Sequence, residues 1–84
     1  NLHQNYPNPF NPVTKIKFDL PEGGLTSLVV YDNLGKEVTE VLNRELTVGS
    51  YEVSIDASKY SSGVYYYELR SGDFRQVKKM TVVK

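Results

Sequence analysis

The chain has 84 residues, no cysteine, and ten basic side chains balanced by ten acidic ones. That length suits one small domain, the missing thiol rules out disulfides and cysteine chemistry, and the balanced charge argues against nucleic acid as the main partner, because phosphate binding needs a net basic face. No apolar run reaches the roughly 20 residues of a transmembrane helix, and no secretory signal peptide is visible. The chain begins at Asn1 and its only methionine is Met80, so it is expected to be a processed product or a piece of something longer.

Residues 1–12 stand apart. Asn5-Tyr6-Pro7-Asn8-Pro9-Phe10-Asn11-Pro12 holds three prolines, three asparagines and two aromatics. Each proline lacks an N–H and pushes its predecessor out of the α region, so neither a helix nor a central strand fits. The segment is predicted to be an extended arm that docks on a folded body through Tyr6 and Phe10. Residues 13–84 are predicted to form that body.

From there the period is two. Ile16, Phe18 and Leu20 alternate with Lys15, Lys17 and Asp19, which predicts a half-buried strand over about 14–20. Pro21-Glu22-Gly23-Gly24 reads as a turn, and 26–32 as a second strand rich in β-branched and aromatic residues. Asp32-Asn33-Leu34-Gly35 is a turn in which Gly35 can take positive φ. Lys36–Asn43 is ambiguous. Val38, Val41 and Leu42 match helical spacing, but the short segment lacks a strong N-cap and sits among strands, so a strand with an irregularity is favoured. Leu46–Ser50 reads as a loop. Tyr51, Val53 and Ile55 alternate with polar residues, and Asp56–Gly63 forms a longer corner. Tyr65, Tyr67 and Leu69 share one face of a strand over 64–70; Val64, Tyr66, Glu68 and Arg70 share the other. A hairpin turn at Ser71-Gly72-Asp73 leads into a last strand from about Phe74 to Val83. There Val77 and Met80 fall on opposite faces, and a β-bulge near Lys78-Lys79 is the predicted remedy.

Short strands at regular spacing predict an all-β, immunoglobulin-like antiparallel sandwich of six to seven strands. The expected core is Ile16, Phe18, Leu28, Val30, Tyr51, Val53, Tyr65, Tyr67, Leu69 and Met80.

Chemistry has little footing. His3 is the only histidine, with no serine or acid placed beside it by any spacing rule. Asp19, Asp32, Asp56 and Asp73 fall at strand ends or turns, where aspartate is a good turn former. The alternating acidic ligands of a calcium loop are missing, as is a glycine-rich phosphate loop. No enzyme, cofactor or metal is expected. Seven tyrosines raise the possibility of a carbohydrate-binding face, but Tyr65 and Tyr67 alternate with Tyr66 and cannot form one platform.

The ordered segments Gln4–Pro12, Ile16–Pro21, Val30–Val38, Gly49–Val53, Ser62–Leu69 and Lys78–Lys84 together resemble the C-terminal sorting domain of proteins exported by the type IX secretion system. The immunoglobulin-like domain of the flagellar hook-capping protein looks similar and shares the Asn-Pro-Phe-Asn-Pro start. The Asn-Tyr-Pro lead-in and the terminal Lys-Met-x-x-x-Lys favour the sorting domain. Tyr60 departs from the smaller aliphatic residue common at that corner. The resemblance implies a non-enzymatic recognition module, exported through the periplasm and outer membrane to the cell surface or medium, and read by the secretion machinery of the outer membrane. The last strand, with Lys78, Lys79 and Lys84, is the first candidate for partner contact, although edge lysines also discourage accidental sheet pairing. Tyr6 and Phe10 are further candidates. The alternative is homotypic self-association: a structural subunit whose arm or edge strand crosses to a neighbour and builds a filament.

Overall fold

A computed structural model describes residues 1–84. Six strands follow in chain order: β1 (Val13–Leu20), β2 (Gly24–Asp32), β3 (Glu37–Leu46), β4 (Gly49–Asp56), β5 (Gly63–Ser71) and β6 (Phe74–Val82). They form two antiparallel sheets, β1-β4 and β3-β2-β5-β6, packed as a sandwich. There is no helix, and so none long and apolar enough to cross a membrane.

Alternation sets the layers. In β1, Thr14, Ile16, Phe18 and Leu20 are buried while Val13, Lys15 and Lys17 face solvent. In β5, Tyr65, Tyr67 and Leu69 face the other sheet. The turn into β3 is closed by Asp32, whose Oδ1 accepts from the N–H groups of Leu34 and Lys36 at 2.9 Å each. Gly35 there has φ +84°, a conformation that a side chain would strain. The ambiguous segment is a strand, and it is irregular: its register against β2 shifts between Leu28 and Val29 and again between Val30 and Tyr31.

Two expectations need correction. The segment expected as a loop over Leu46–Ser50 shrinks to Thr47 and Val48, because β3 and β4 run almost to meet each other as the chain changes sheets. The bulge expected near Lys78-Lys79 does not exist. Pairing of β5 with β6 runs unbroken from Gly63↔Val82 to Ser71↔Phe74. Val77 simply faces outward and is partly exposed, so no extra residue is needed to bring Met80 inward.

Eight of the ten expected core residues are buried; Tyr51 and Val53 are half-buried against the cluster. Tyr51 stacks on Phe18 with ring centroids 5.5 Å apart. Tyr60 packs on Tyr65 at 5.2 Å, so the larger side chain at that corner does add packing. Leu20, Ile55, Ala57 and Val82 complete the sandwich's share of the core, and the arm supplies Leu2 and Phe10.

The arm joins both sheets. Residues 1–6 run antiparallel to β1, with the His3 N–H donating to the Lys17 carbonyl and Tyr6 exchanging backbone bonds with Lys15. Farther along, the Phe10 N–H donates to the Thr81 carbonyl and the Val83 N–H to the Phe10 carbonyl, a parallel bridge to β6. One strap therefore closes the seam between the free edge of β1 and the free edge of β6. The peptide bonds before Pro7, Pro9 and Pro12 are cis.

Candidate partner-recognition surface

β6 is an edge strand of the larger sheet, and the arm covers only part of its edge. The Thr81 carbonyl and the Val83 N–H bond the arm's backbone, the Thr81 N–H donates to Asn8 Oδ1, and the Lys79 carbonyl accepts from Gln4 Nε2 at 2.6 Å. Backbone groups that point outward alternate along an antiparallel strand, so those of Arg75 and Val77 also point outward. Neither pair finds a partner.

The three candidate lysines do not converge. Lys78 lies on the core side of β6 between Gln76 and Met80 and is half-buried. Lys79 is exposed on the opposite, outer face. Lys84 lies beyond the strand end, and its Nζ donates to the Ser58 carbonyl at 2.5 Å.

The two arm aromatics also divide. Phe10 is 3 % exposed and sits in the core, so the arm does dock through it. Tyr6 is 81 % exposed and contributes only its backbone, so it does not dock the arm. Leu2 takes that part, because Leu2 pairs with Phe18 and follows the inward face of β1 whereas Tyr6 pairs with Lys15 and follows the outward one.

A buried polar cluster, not visible in the sequence, fixes the arm. The Tyr67 hydroxyl donates to the His3 carbonyl at 2.8 Å and accepts from the Asn5 N–H at 2.7 Å. Asn5 Nδ2 donates to Thr14 Oγ1 at 3.0 Å and to the Pro7 carbonyl at 3.1 Å, and Thr14 Oγ1 donates to the same carbonyl at 2.8 Å. No buried side-chain polar atom is left without a partner. Burial pushes the Tyr67 phenol up to about 12, a shift that the Asn5 hydrogen bond only partly opposes. The only earlier hint was the alternation that turns Tyr67 inward; a buried phenol needs a polar partner.

On the outer face of the larger sheet, Glu68 is 4 % exposed although it faces away from the core. Arg70 Nε donates to its Oε1 at 3.2 Å, Arg75 Nε donates to Oε2, and the Tyr31 hydroxyl donates to Oε1 at 3.3 Å. Burial pushes the Glu68 carboxyl up, but the Arg75 bond and the two guanidinium charges outweigh it and hold the group below its ordinary range. The unbroken hairpin register sets Arg70 directly opposite Arg75.

Nowhere do three His, Cys, Asp or Glu side chains gather closely enough to hold a metal ion. His3 Nε2 lies 2.9 Å from Asp19 Oδ2, and Ser50 Oγ donates to Asp19 Oδ1 at 2.7 Å. This exposed group has the acid in the middle, so histidine cannot relay a proton to the serine; it pins the start of the arm to the end of β1.

No curated protein matches the chain. The family described as secretion system C-terminal sorting domain matches residues 4–84, so the match spans the arm, both sheets and the stretch beyond β6. Essentially the whole fold is thus accounted for by one family, and the chain belongs to the C-terminal sorting domains of type IX secretion.

Proposed function

We propose that this domain is an export signal read in its folded form by the outer-membrane apparatus of type IX secretion, and that proteins bearing it pass through the periplasm to the cell surface or medium. The observation that carries the reading is the family match across residues 4–84. The structure supplies a physical means. A rigid sandwich with a partly open edge at β6 offers a partner main-chain groups together with a fixed set of side chains. Lys79, Lys84 and Tyr6 are the exposed members of the candidate set, and of these Lys79 and Tyr6 stand on backbone tied by hydrogen bonds between the arm and the strands. The arm folds back on its own sandwich, so nothing here favours arm exchange between copies.

The test is a reporter fused to the N-terminal side of residues 1–84 and expressed in a bacterium with an active type IX system. The fusion is expected outside the cell, and to be retained in the periplasm of a strain lacking the outer-membrane translocon. Equal release from both strains would refute the reading. Point variants serve better than deletion of 78–84, because that deletion also removes Met80 and Val82 from the core.

A further inference from the structure

The outer face of the larger sheet carries an arrangement that folding alone does not explain. Cross-strand neighbours share a face, so the pairings place Ser27, Arg70 and Arg75 in one row, Val29, Glu68 and Val77 in the next, and Tyr31, Tyr66 and Lys79 in a third. Two arginines directly opposite each other repel, and a buried ion pair is weak evidence for stability. Yet Glu68 is buried between them, and both guanidinium groups engage it through Nε. Their side chains remain 61 % exposed, and only Nε of each makes a hydrogen bond, which leaves the terminal nitrogens without a protein acceptor. Glu68 thus aims two forks outward. A planar fork with free N–H groups is the donor geometry that matches a carboxylate.

The β6 column adds a second cation. Arg75, Val77 and Lys79 stand at alternate positions, so the two cations are about 13 Å apart with an exposed valine midway. Three cations face one carboxylate on the β5–β6 half, within a chain of zero net charge. The β3 edge of the same face is acidic: Glu40 pairs with Val29 and Glu37 with Tyr31. A flat anionic membrane would meet those acids together with the arginines. A narrow segment lying along β6 would not.

We propose that Arg70, Arg75 and Lys79, with Val77 between the latter two, form a docking strip for an extended acidic protein segment whose carboxylates stand four residues apart with an apolar residue midway. That the segment belongs to the export partner rests on the sorting reading above; the strip itself rests on the geometry. Glu68 is a positioning residue for the two forks.

The probe is a fluorescent heptapeptide with two glutamates four positions apart, a valine midway and threonines elsewhere, titrated by anisotropy against the whole 84-residue chain. Arg75→Gln and Lys79→Gln are each expected to weaken binding at least tenfold, 0.5 M salt to weaken it for every protein, and Lys84→Gln to leave it unchanged. Because Arg75→Gln also takes a partner from Glu68, the decision falls on Lys79→Gln, whose side chain makes no bond. Unchanged affinity for Lys79→Gln, or equal binding of a peptide with lysines in place of the glutamates, overturns the strip. So does binding of phosphatidylglycerol vesicles with none of the peptide. Export of the reporter is scored separately. Normal export of a Lys79→Gln fusion that no longer binds peptide overturns the export-partner assignment. Failure of the unaltered fusion to be exported overturns the sorting reading while a positive titration still upholds the strip.

Discussion

Replacing Phe10 with alanine tests whether the arm is part of the folded domain. The ring is buried among core residues contributed by both sheets, and its backbone is bonded to Thr81 and Val83. Truncating a buried phenylalanine costs about 3–5 kcal/mol, through lost transfer free energy and the cavity left behind. A chain of this length has a total stability of roughly 4–13 kcal/mol. Phe10→Ala therefore removes a large share, and the melting temperature should fall by at least about 12 °C. Tyr6→Ala is the internal control: it lies four residues away in the same arm, but its ring is in solvent, so the change should stay within about 0.5 kcal/mol. Thermal unfolding of both variants, followed by near-ultraviolet circular dichroism, gives the comparison. Equal melting temperatures for the two variants would refute the docking argument, because burial is the main difference between the rings.

Tyr67→Phe keeps the ring but leaves the buried Asn5 N–H without its acceptor, and should cost about 1–3 kcal/mol in urea unfolding. In alkali, Tyr67 favours the fold while it is neutral: its contribution is complete below pH about 10, the ordinary phenol value, and is lost as pH rises toward about 12. That loss is worth up to about 2–3 kcal/mol, and the Tyr67→Phe variant should lack this part of the alkaline decline. Tyr60, also raised chiefly by burial, loses stability in the same direction and remains in the variant as a residual slope. On the acid side the sign reverses: Glu68 stabilises the fold while ionised, so its contribution is present at neutral pH and is lost as pH falls through its lowered value. Glu68→Gln should flatten the acid limb of a stability–pH curve.

Period-two patterning was enough to read the strands and most of the core, because the inward positions of β1, β2 and β5 are mostly aliphatic or aromatic, with the buried Thr14 and Thr26 as polar exceptions. The β6 error came from treating every apolar residue as a core residue. Val77 breaks that rule because it belongs to the outer face, beside the half-exposed Tyr66. Leu2 was missed as an arm anchor because a lone leucine at a chain start has no periodic neighbours; only the pairing with Phe18 gives it a side. The Asn5–Thr14–Tyr67 cluster and the Arg70–Glu68–Arg75 group both depend on register between segments distant in sequence or across a hairpin. Composition carries no register. The lysines at 78 and 79 illustrate the same limit: both are candidates for partner contact on the last strand, and the pleat sends them to opposite faces.

The strap across the seam gives a last prediction about self-association. Removing residues 1–12 would strip partners from the Lys17 and Lys15 backbone on β1 and from Thr81 and Val83 on β6, and would empty the core positions of Leu2 and Phe10. Two sheet edges would then be free on the same side of the sandwich, with apolar core residues behind them. Exposed edges of this kind template pairing with another chain. The shortened domain should therefore melt lower and form concentration-dependent oligomers by light scattering, whereas the intact chain should run near 9.6 kDa. The arm thus blocks pairing with other chains as well as adding stability, and the two roles separate experimentally. Phe10→Ala weakens the anchor but leaves the arm available to cover β1, so it should melt low yet stay closer to monomer than the deletion. A deletion that remains monomeric with an unchanged melting temperature would mean that the sandwich closes this seam without the arm.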